Sequence, residues 1–171
     1  QKSDLVRLAK KLETSGCMLI IDESFLDFSE NPGQISFEKE IADYPNVAIF
    51  KSMSKAYGIC GLRIGYMLTA NINFAEAVRK GVHIWNINGF AEEFLRLLPE
   101  FKEEFADSCK QVRSDRDSMY LKMKSISGMI VYKPDANYIF CRLPDNIKSA
   151  PEIARDLFIK YNMYVKDCVG K

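Results

Sequence analysis

The sequence contains too few metal-binding side chains and too little net charge to support several classes of function. It has one histidine, His83, and no C-x-x-C pair among five cysteines, which excludes a multi-histidine or paired-cysteine metal site. Its 24 basic and 23 acidic residues give a net charge of +1, and hence no general attraction for nucleic acid or anionic membranes. No apolar run approaches the length of a membrane span. We expect no metal, nucleic-acid or membrane partner, and reduced, buried cysteines in a cytoplasmic protein.

The apolar pattern indicates a layered α/β protein. Hydrophobic residues make up 47% of the chain and charged residues 27%, as in ordinary globular proteins. Short apolar runs at residues 17–21 and 47–50 predict strands covered on both faces, as in a parallel sheet. A third strand is predicted at about 64–68, followed by a helix at about 73–80. This strand–helix alternation is typical of α/β folds.

Helical patterns dominate the rest of the chain. A first helix is predicted to be capped by Ser3 or Asp4 and to end at Gly16, and a short helix is predicted at 37–41. A helical pattern runs from about 90 to 125. Strands at 129–132, 137–143 and 163–165, with a helix at 150–161, predict a small α+β domain joined by that long helix.

One segment carries a pattern suited to a phosphate-containing aldehyde. The hydroxyls of Ser52 and Ser54 follow the second strand, and Lys55 is followed by three glycines and Arg63. Ligands bind at strand ends in open α/β sheets, and hydroxyls with an arginine suit a phosphate. A lysine beside such a site can form a Schiff base. The glycine spacing matches neither the dinucleotide-binding nor the P-loop pattern. A glycine-rich turn with a surface lysine is the structural alternative.

A second candidate is Asp22, which ends the first predicted strand. A carboxylate at the end of a buried strand is costly without a partner. That partner is either structural, such as a basic side chain, or a protonated ring nitrogen of a ligand. Because Asp22 and Lys55 each follow an apolar strand, we expect both to face one crevice.

Together these motifs resemble the fold-type I pyridoxal-phosphate enzymes, in the group containing histidinol-phosphate aminotransferase and threonine-phosphate decarboxylase. The S-x-S-K-x-x-G-x-x-G-x-R-x-G pattern is complete at residues 52–65, and D-E-[AS]-[YF]-x-x-F is complete at 22–28. Residues 85–88 and 136–138 are weaker matches. The resemblance implies that Lys55 forms the internal aldimine and that Asp22 pairs with the pyridine nitrogen. The residues implied to bind the cofactor phosphate are Ser52, Ser54 and Arg63.

The same resemblance implies a transaminase acting on an amino acid or amino-acid phosphate and a 2-oxo acid, in amino-acid biosynthesis. Phe25 stands where aminotransferases of the group usually carry a tyrosine that bonds the ring oxygen, and phenylalanine cannot make that bond. The decarboxylase branch often has phenylalanine there, so a decarboxylase of the threonine-phosphate type is the first alternative. A non-catalytic sensor domain is the second. Family members usually form homodimers, and we expect one for the full-length protein.

The resemblance also predicts the domain organisation of an internal fragment. Residues 1–95 are expected to form part of an aspartate-aminotransferase-like large domain with a mostly parallel sheet. Residues 96–171 are expected to form the connecting helix and part of a small C-terminal α+β domain. Family residues that stack on the ring and bind the substrate carboxylate lie outside this sequence. We therefore expect the isolated chain to be inactive, to bind cofactor weakly, and to expose Ile20, Ile21 and Phe50.

Overall fold

The computed structural model describes residues 2–144 and 146–170, which divide into two compact units. The first unit extends to Ser114 and includes Asp135–Asn137. The second contains Asp115–Pro134 and the residues from Tyr138 onward. The predicted domain boundary between residues 95 and 96 stays a prediction.

The first unit contains a mixed three-stranded sheet. Its strands are β1 (Leu19–Asp22), β2 (Val47–Ser52) and β3 (Gly65–Thr69), in the order β1-β2-β3. β1 and β2 are parallel, whereas β2 and β3 are antiparallel. The prediction of a mostly parallel sheet therefore holds for one of the two strand pairs. The reason lies in the connections: the chain crosses over between β1 and β2, whereas α3 and a 3-10 turn (Cys60–Leu62) reverse it between β2 and β3.

Most of the predicted helices form, with shifted ends. The helices of the described residues are α1 (Lys2–Glu13), α2 (Pro32–Ile35), α3 (Met53–Ala56), α4 (Ile72–Gly81), α5 (Gly89–Leu97), α6 (Lys102–Lys124) and α7 (Ala150–Tyr161). The predicted 90–125 pattern is interrupted by a 3-10 turn, Leu98–Phe101, because Pro99 cannot continue a helix. None of the described helices is both long and apolar enough to cross a bilayer.

Two local predictions were wrong. The predicted helix at 37–41 is absent: residues 37–40 form turns that lead into a 3-10 turn at Ile41–Asp43. Tertiary contacts hold this segment, since the Phe37 N–H donates to the buried Glu23 carboxylate (2.7 Å) and the Phe37 ring is buried in the core. α1 begins at Lys2, so Ser3 and Asp4 lie in its first turn rather than before it. Gly16 adopts φ +66° after this helix, as its C-terminal position predicted.

A hydrophobic core lies between α1 and one face of the sheet. Its fully buried members include Ala9, Phe37, Val47 and Ile49. Each large apolar side chain buried there stabilises the fold by about 1.5–3 kcal/mol. A second cluster packs α3 against α5, and its buried members are Met53, Ile64 and Ala91.

Other apolar strand residues are only partly covered. Ile20 is 59% exposed and Phe50 is 37% exposed, as predicted, whereas Ile21 is half-buried against the core. The prediction of buried cysteines holds for Cys109 alone: Cys141 is half-buried, and the other three, Cys17, Cys60 and Cys168, are exposed.

The second unit contains a small antiparallel pair of strands. β4 (Ile130–Val131) pairs with β5 (Cys141–Arg142), within the two strands predicted there. The Tyr132 and Phe140 rings stack beside this pair, with centroids 5.3 Å apart. The predicted strand at 163–165 was wrong, since no described segment pairs with it and Tyr164 is 83% exposed. A complete small domain of the predicted kind stays a prediction.

Candidate functional site

The two predicted motifs lie at the carboxyl ends of the two neighbouring parallel strands, on one side of the sheet. Asp22 is the last residue of β1 and is in register with Phe50 of β2. The Glu23 N–H donates to the Phe50 carbonyl (2.9 Å), and the Ser52 N–H donates to Ser24 Oγ (2.9 Å). The segment that follows β1 is therefore joined by hydrogen bonds to the end of β2. The expected crevice shared by Asp22 and Lys55 stays a prediction.

Asp22 presents an exposed, charged carboxylate at this edge. Its Oδ1 accepts the Ser24 N–H at 2.9 Å. The Ser24 side chain and then its N–H hold the pKa of Asp22 below the ordinary value of 3.8; burial opposes this shift, and the charge of Lys55 adds to it. Asp22 and Lys55 therefore interact electrostatically, and the carboxylate is suited to a cationic partner at neutral pH.

The hydroxyl and lysine residues lie at the junction of β2 with α3. Ser52 precedes this short helix, and its Oγ accepts the Ser54 N–H at 3.4 Å. Lys55 is exposed and Ser52 is half-buried, so both can reach a ligand. Ser54 is only 4% exposed, so its hydroxyl is the least accessible of the predicted phosphate groups.

Gly65 allows β3 to pair closely with the end of β2, two residues after Arg63. Gly65 pairs with Ser52 across β2 and β3, and a Cβ at this glycine would lie 2.6 Å from the Lys51 carbonyl oxygen. Any side chain there would push the strands apart. Arg63 lies two residues before Gly65, and its backbone is in the left-handed region (φ 56°). Non-glycine residues in that region cost about 1–3 kcal/mol and cluster at functional sites.

The Arg63 guanidinium remains accessible to a ligand. Its side chain is exposed, and Nη1 donates to the Cys60 carbonyl (3.2 Å), inside the loop that leads to β3. A guanidinium offers five N–H donors, so this single bond leaves most of its donor capacity for an anion.

Phe25 lies in the segment that continues from Asp22. It is half-buried and immediately precedes the 3-10 turn Leu26–Phe28. Its phenyl ring offers packing surface and no hydrogen-bond donor. A ligand atom beside this ring would receive no hydrogen bond from it.

Sequence reasoning missed two residues that shape the site. Ser24 bonds both Asp22 and Ser52, and Glu23 is a 5%-exposed carboxylate that accepts the Ser36 hydroxyl (2.8 Å) and the Phe37 N–H (2.7 Å). The available signal was their position directly after a buried strand, where a polar residue must find partners.

A cavity beside Lys55 was also missed. It encloses about 590 Å³ within the first unit and has largely apolar walls. The Tyr57 and Phe105 rings stack there with centroids 4.1 Å apart. The residues that line it include Lys55, Tyr57, Phe94, Phe101 and Phe105. Aromatic residues four or more positions apart gave only a core-packing signal in the sequence.

Comparisons with known proteins agree with these motifs. The family model Aminotransferase class I and II matches residues 1–169. The chain is 43% identical over 169 residues to the CMP-5'-(3-aminopropyl)phosphonate synthase of Streptomyces rubellomurinus, covering 99% of this chain and 26% of that protein. It is 33% identical over 160 residues to the L-serine phosphate decarboxylase of Campylobacter jejuni, covering 90% of this chain and 40% of that protein.

A solved structure shows the same fold. The histidinol-phosphate aminotransferase of Clostridium acetobutylicum superposes with a TM-score of 0.82 at 28% identity, covering 100% of this chain and 51% of that one. The chain thus spans about a quarter to a half of the lengths of these relatives. Because the family model matches nearly every residue, the chain belongs to the pyridoxal-phosphate-dependent class I and II aminotransferase family.

Proposed function

We propose that the complete protein is a pyridoxal-phosphate enzyme that decarboxylates an amino acid bearing a phosphate or phosphonate group. The observation that carries this choice is Phe25, three positions after Asp22, where aminotransferases of the group usually carry tyrosine. The relatives add support, since the names of two of them describe a decarboxylase of L-serine phosphate and a synthase of an aminopropyl phosphonate.

The residues at the strand ends fit the cofactor. The exposed, charged carboxylate of Asp22 suits a protonated ring nitrogen. The hydroxyl of Ser52 and the guanidinium of Arg63 would hold the phosphate, and Ser54 is the weaker member of that set because it is buried. Lys55 would hold the cofactor covalently through its amine, which is exposed at the same edge.

When bound, pyridoxal phosphate supplies an electron sink for the charge that develops at the substrate α-carbon. Asp22 would hold the proton on the ring nitrogen, and the Ser24 N–H orients the Asp22 carboxylate. Phe25 would pack against the ring without donating a hydrogen bond. In decarboxylation Lys55 would deliver a proton to the α-carbon after carbon dioxide has left, whereas in transamination it would first remove one.

The test uses the full-length protein loaded with pyridoxal phosphate and supplied with L-serine phosphate or L-threonine phosphate. We expect release of carbon dioxide and the corresponding phosphorylated amine, with no requirement for a 2-oxo acid. Amino transfer to a 2-oxo acid, with the substrate carboxylate retained, would contradict the proposal. Unphosphorylated serine is the matched control for recognition of the phosphate.

Transamination is the second candidate, and it is favoured by the structural similarity to a histidinol-phosphate aminotransferase at 28% identity. Its substrate would be an amino-acid phosphate with a 2-oxo acid as acceptor. The same assay separates the two activities, because only the transaminase consumes the 2-oxo acid. We further propose that the complete enzyme is a cytoplasmic homodimer, as the family resemblance implies.

A further inference from the structure

A largely buried ion pair joins the segment after β1 to the strand that leads into Lys55. Lys51 Nζ lies 2.9 Å from Asp27 Oδ1, and the two side chains are only 13% and 14% exposed. The second carboxylate oxygen, Asp27 Oδ2, is buried and accepts no hydrogen bond from the described residues. Taking two charges out of water costs free energy that their attraction rarely exceeds. Stability is therefore a poor explanation for this pair.

The position of the pair indicates a different role. Lys51 precedes Ser52, so two consecutive residues of β2 contact the segment after β1: Ser52 through its N–H and Lys51 through its amine. Their partners are Ser24 and Asp27, which lie on either side of Phe25 in the chain. Phe25 thus occupies a short stretch that is attached to β2 at both ends.

A third contact holds the same stretch from another element of the first unit. Arg113 Nη1, on α6, donates to the Asp27 carbonyl oxygen at 3.2 Å. The backbone of Asp27 is therefore bonded to α6 while its carboxylate is bonded to β2. Phe28, the next residue, is only 3% exposed. These contacts restrict how far Phe25 can move relative to Ser52 and Lys55.

We propose that Lys51 and Asp27 are positioning residues that set the placement of Phe25, and through Ser24 that of Asp22, against the cofactor ring. This inference rests on the cofactor site proposed above. Lys51 touches neither cofactor nor substrate in this scheme and acts by fixing the residues that do. A misplacement of about 1 Å at such a residue can cost roughly 100-fold in rate, so a single ion pair can have a large effect.

The test compares four variants of the full-length enzyme with the wild type. Lys51→Met removes the amine, Asp27→Asn removes the charge at nearly constant shape, and Lys51→Arg retains an ion pair. Lys110→Met is the matched control, since Lys110 pairs with Asp107 at 2.7 Å on the same helix as Arg113, but with both side chains largely exposed. The readouts are affinity for pyridoxal phosphate, the absorbance maximum of the bound cofactor, and amide exchange of residues 24–28 in the cofactor-free enzyme.

We expect Lys51→Met and Asp27→Asn to weaken cofactor affinity by at least about tenfold, to displace the absorbance maximum, and to speed amide exchange at residues 24–28. Lys51→Arg should keep the affinity, the absorbance maximum and the amide exchange close to their wild-type values. Lys110→Met should change none of the three. A purely structural pair would lower the melting temperature while the folded fraction kept the wild-type spectrum and affinity, and that result would overturn the proposal. If Lys51→Met does not fold, the same three measurements on Asp27→Asn test the proposal.

These readouts need no substrate, so they separate this inference from the proposed reaction. Failure of the wild-type enzyme to release carbon dioxide would contradict the proposed decarboxylation alone. A wild-type cofactor spectrum in Asp27→Asn would contradict the positioning role alone. Loss of cofactor binding in Lys51→Arg as complete as in Lys51→Met would also overturn it, because the ion pair would then not be what matters.

Discussion

The strand-end corner (residues 22–28 and 51–55) and the 82–90 segment, which includes the weaker family match at residues 85–88, differ in which side chains they bury. In the corner, Glu23, Ser24 and Ser54 are polar residues with 4–7% exposure. In the 82–90 segment, Ile84 is 96% exposed and Trp85 is 93% exposed. Polar groups are buried in one region, and large apolar side chains are left uncovered in the other.

The difference shows which interactions this chain supplies by itself. Buried polar groups need hydrogen-bond partners, and in the corner Glu23 and Ser24 find them within the chain. The apolar residues of the 82–90 segment have no comparable cover among the described residues. A cluster of exposed apolar side chains marks an interaction surface or promotes aggregation. The corner should thus behave as a chemical site and the segment as a contact surface.

The strongest test of the corner is Lys55→Ala. We expect this change to abolish turnover in the full-length enzyme, because it removes both the covalent link to the cofactor and the group that moves the proton. Borohydride should fix pyridoxal phosphate onto Lys55 in the wild type. Peptide mass mapping that found the adduct only on another lysine would rule out the assignment, and the exposed Lys80→Ala variant should retain activity.

Asp22→Asn should have the next largest effect. It removes the charge opposite the ring nitrogen while keeping the shape, and each pKa unit by which that nitrogen shifts corresponds to about 1.4 kcal/mol. Turnover should therefore fall far more than cofactor content, measured by absorbance and steady-state kinetics. Asp43→Asn, at an exposed aspartate of the 3-10 turn Ile41–Asp43, is the control. Near-normal activity of Asp22→Asn would exclude its proposed role.

Two phenylalanine substitutions compare a side chain buried in the core with one exposed in the 82–90 segment. Phe37 is fully buried in the core and Phe90 is 82% exposed. Phe37→Ala should lower the free energy of unfolding by about 3–5 kcal/mol, whereas Phe90→Ala should change it by no more than about 0.5 kcal/mol. Urea denaturation of the isolated chain measures both, at a protein concentration low enough for light scattering to show a monomer. Equal losses would mean that the 82–90 segment is packed in solution.

Substitutions in the 82–90 segment should act on association instead. The isolated chain is expected to self-associate through exposed apolar residues, and Ile84 and Trp85 are the most exposed of these. Ile84→Ser with Trp85→Ser should lower the apparent mass measured by light scattering while the circular dichroism spectrum stays unchanged. Ile20→Ser, on the exposed face of β1, tests the rival contact surface, because the sequence predicted self-association through Ile20, Ile21 and Phe50. An unchanged mass in the double variant would place the contact elsewhere.

The smallest expected effect is the change with pH in what Asp22 contributes to the stability of the fold. The pKa of Asp22 is lowered in the folded chain, so its contribution to stability is complete above the ordinary value of 3.8 and is lost as the pH falls through the folded value. Because Asp22 is exposed, solvent screening keeps this contribution small. The urea midpoints of wild type and Asp22→Asn should differ more at pH 7 than well below 3.8. The opposite trend would contradict the lowered pKa.

Local spacing allowed much of the corner to be predicted. Strands at 17–21 and 47–50 followed from apolar runs, and Asp22 and Lys55 followed from their positions after those strands. The helices at 73–80 and 150–161 formed within a residue or so of their predicted bounds as α4 and α7. Each of these features depends on neighbours a few residues away, and hydrophobic periodicity records such neighbours.

Features that depend on distant partners were either missed or predicted wrongly. The strand at 163–165 did not form, because a strand requires a neighbour that its own residues do not specify. The helix at 37–41 did not form, and this segment is held instead by a distant partner, since Glu23, 14 residues before Phe37, accepts its N–H. The burial of Ser54, which is 4% exposed, was also beyond prediction, since its sequence neighbours do not specify what covers it.

The sequence by itself determined the family, the cofactor and the residues at the two strand ends, because the spacing of hydroxyls, lysine, glycines and arginine is a local property of the chain. Only the tertiary structure decided how those residues are held together. The Ser24–Ser52 bond and the Asp27–Lys51 ion pair join residues 28 and 24 positions apart. Such contacts arise from the parallel pairing of β1 with β2, and no pattern confined to either segment specifies them.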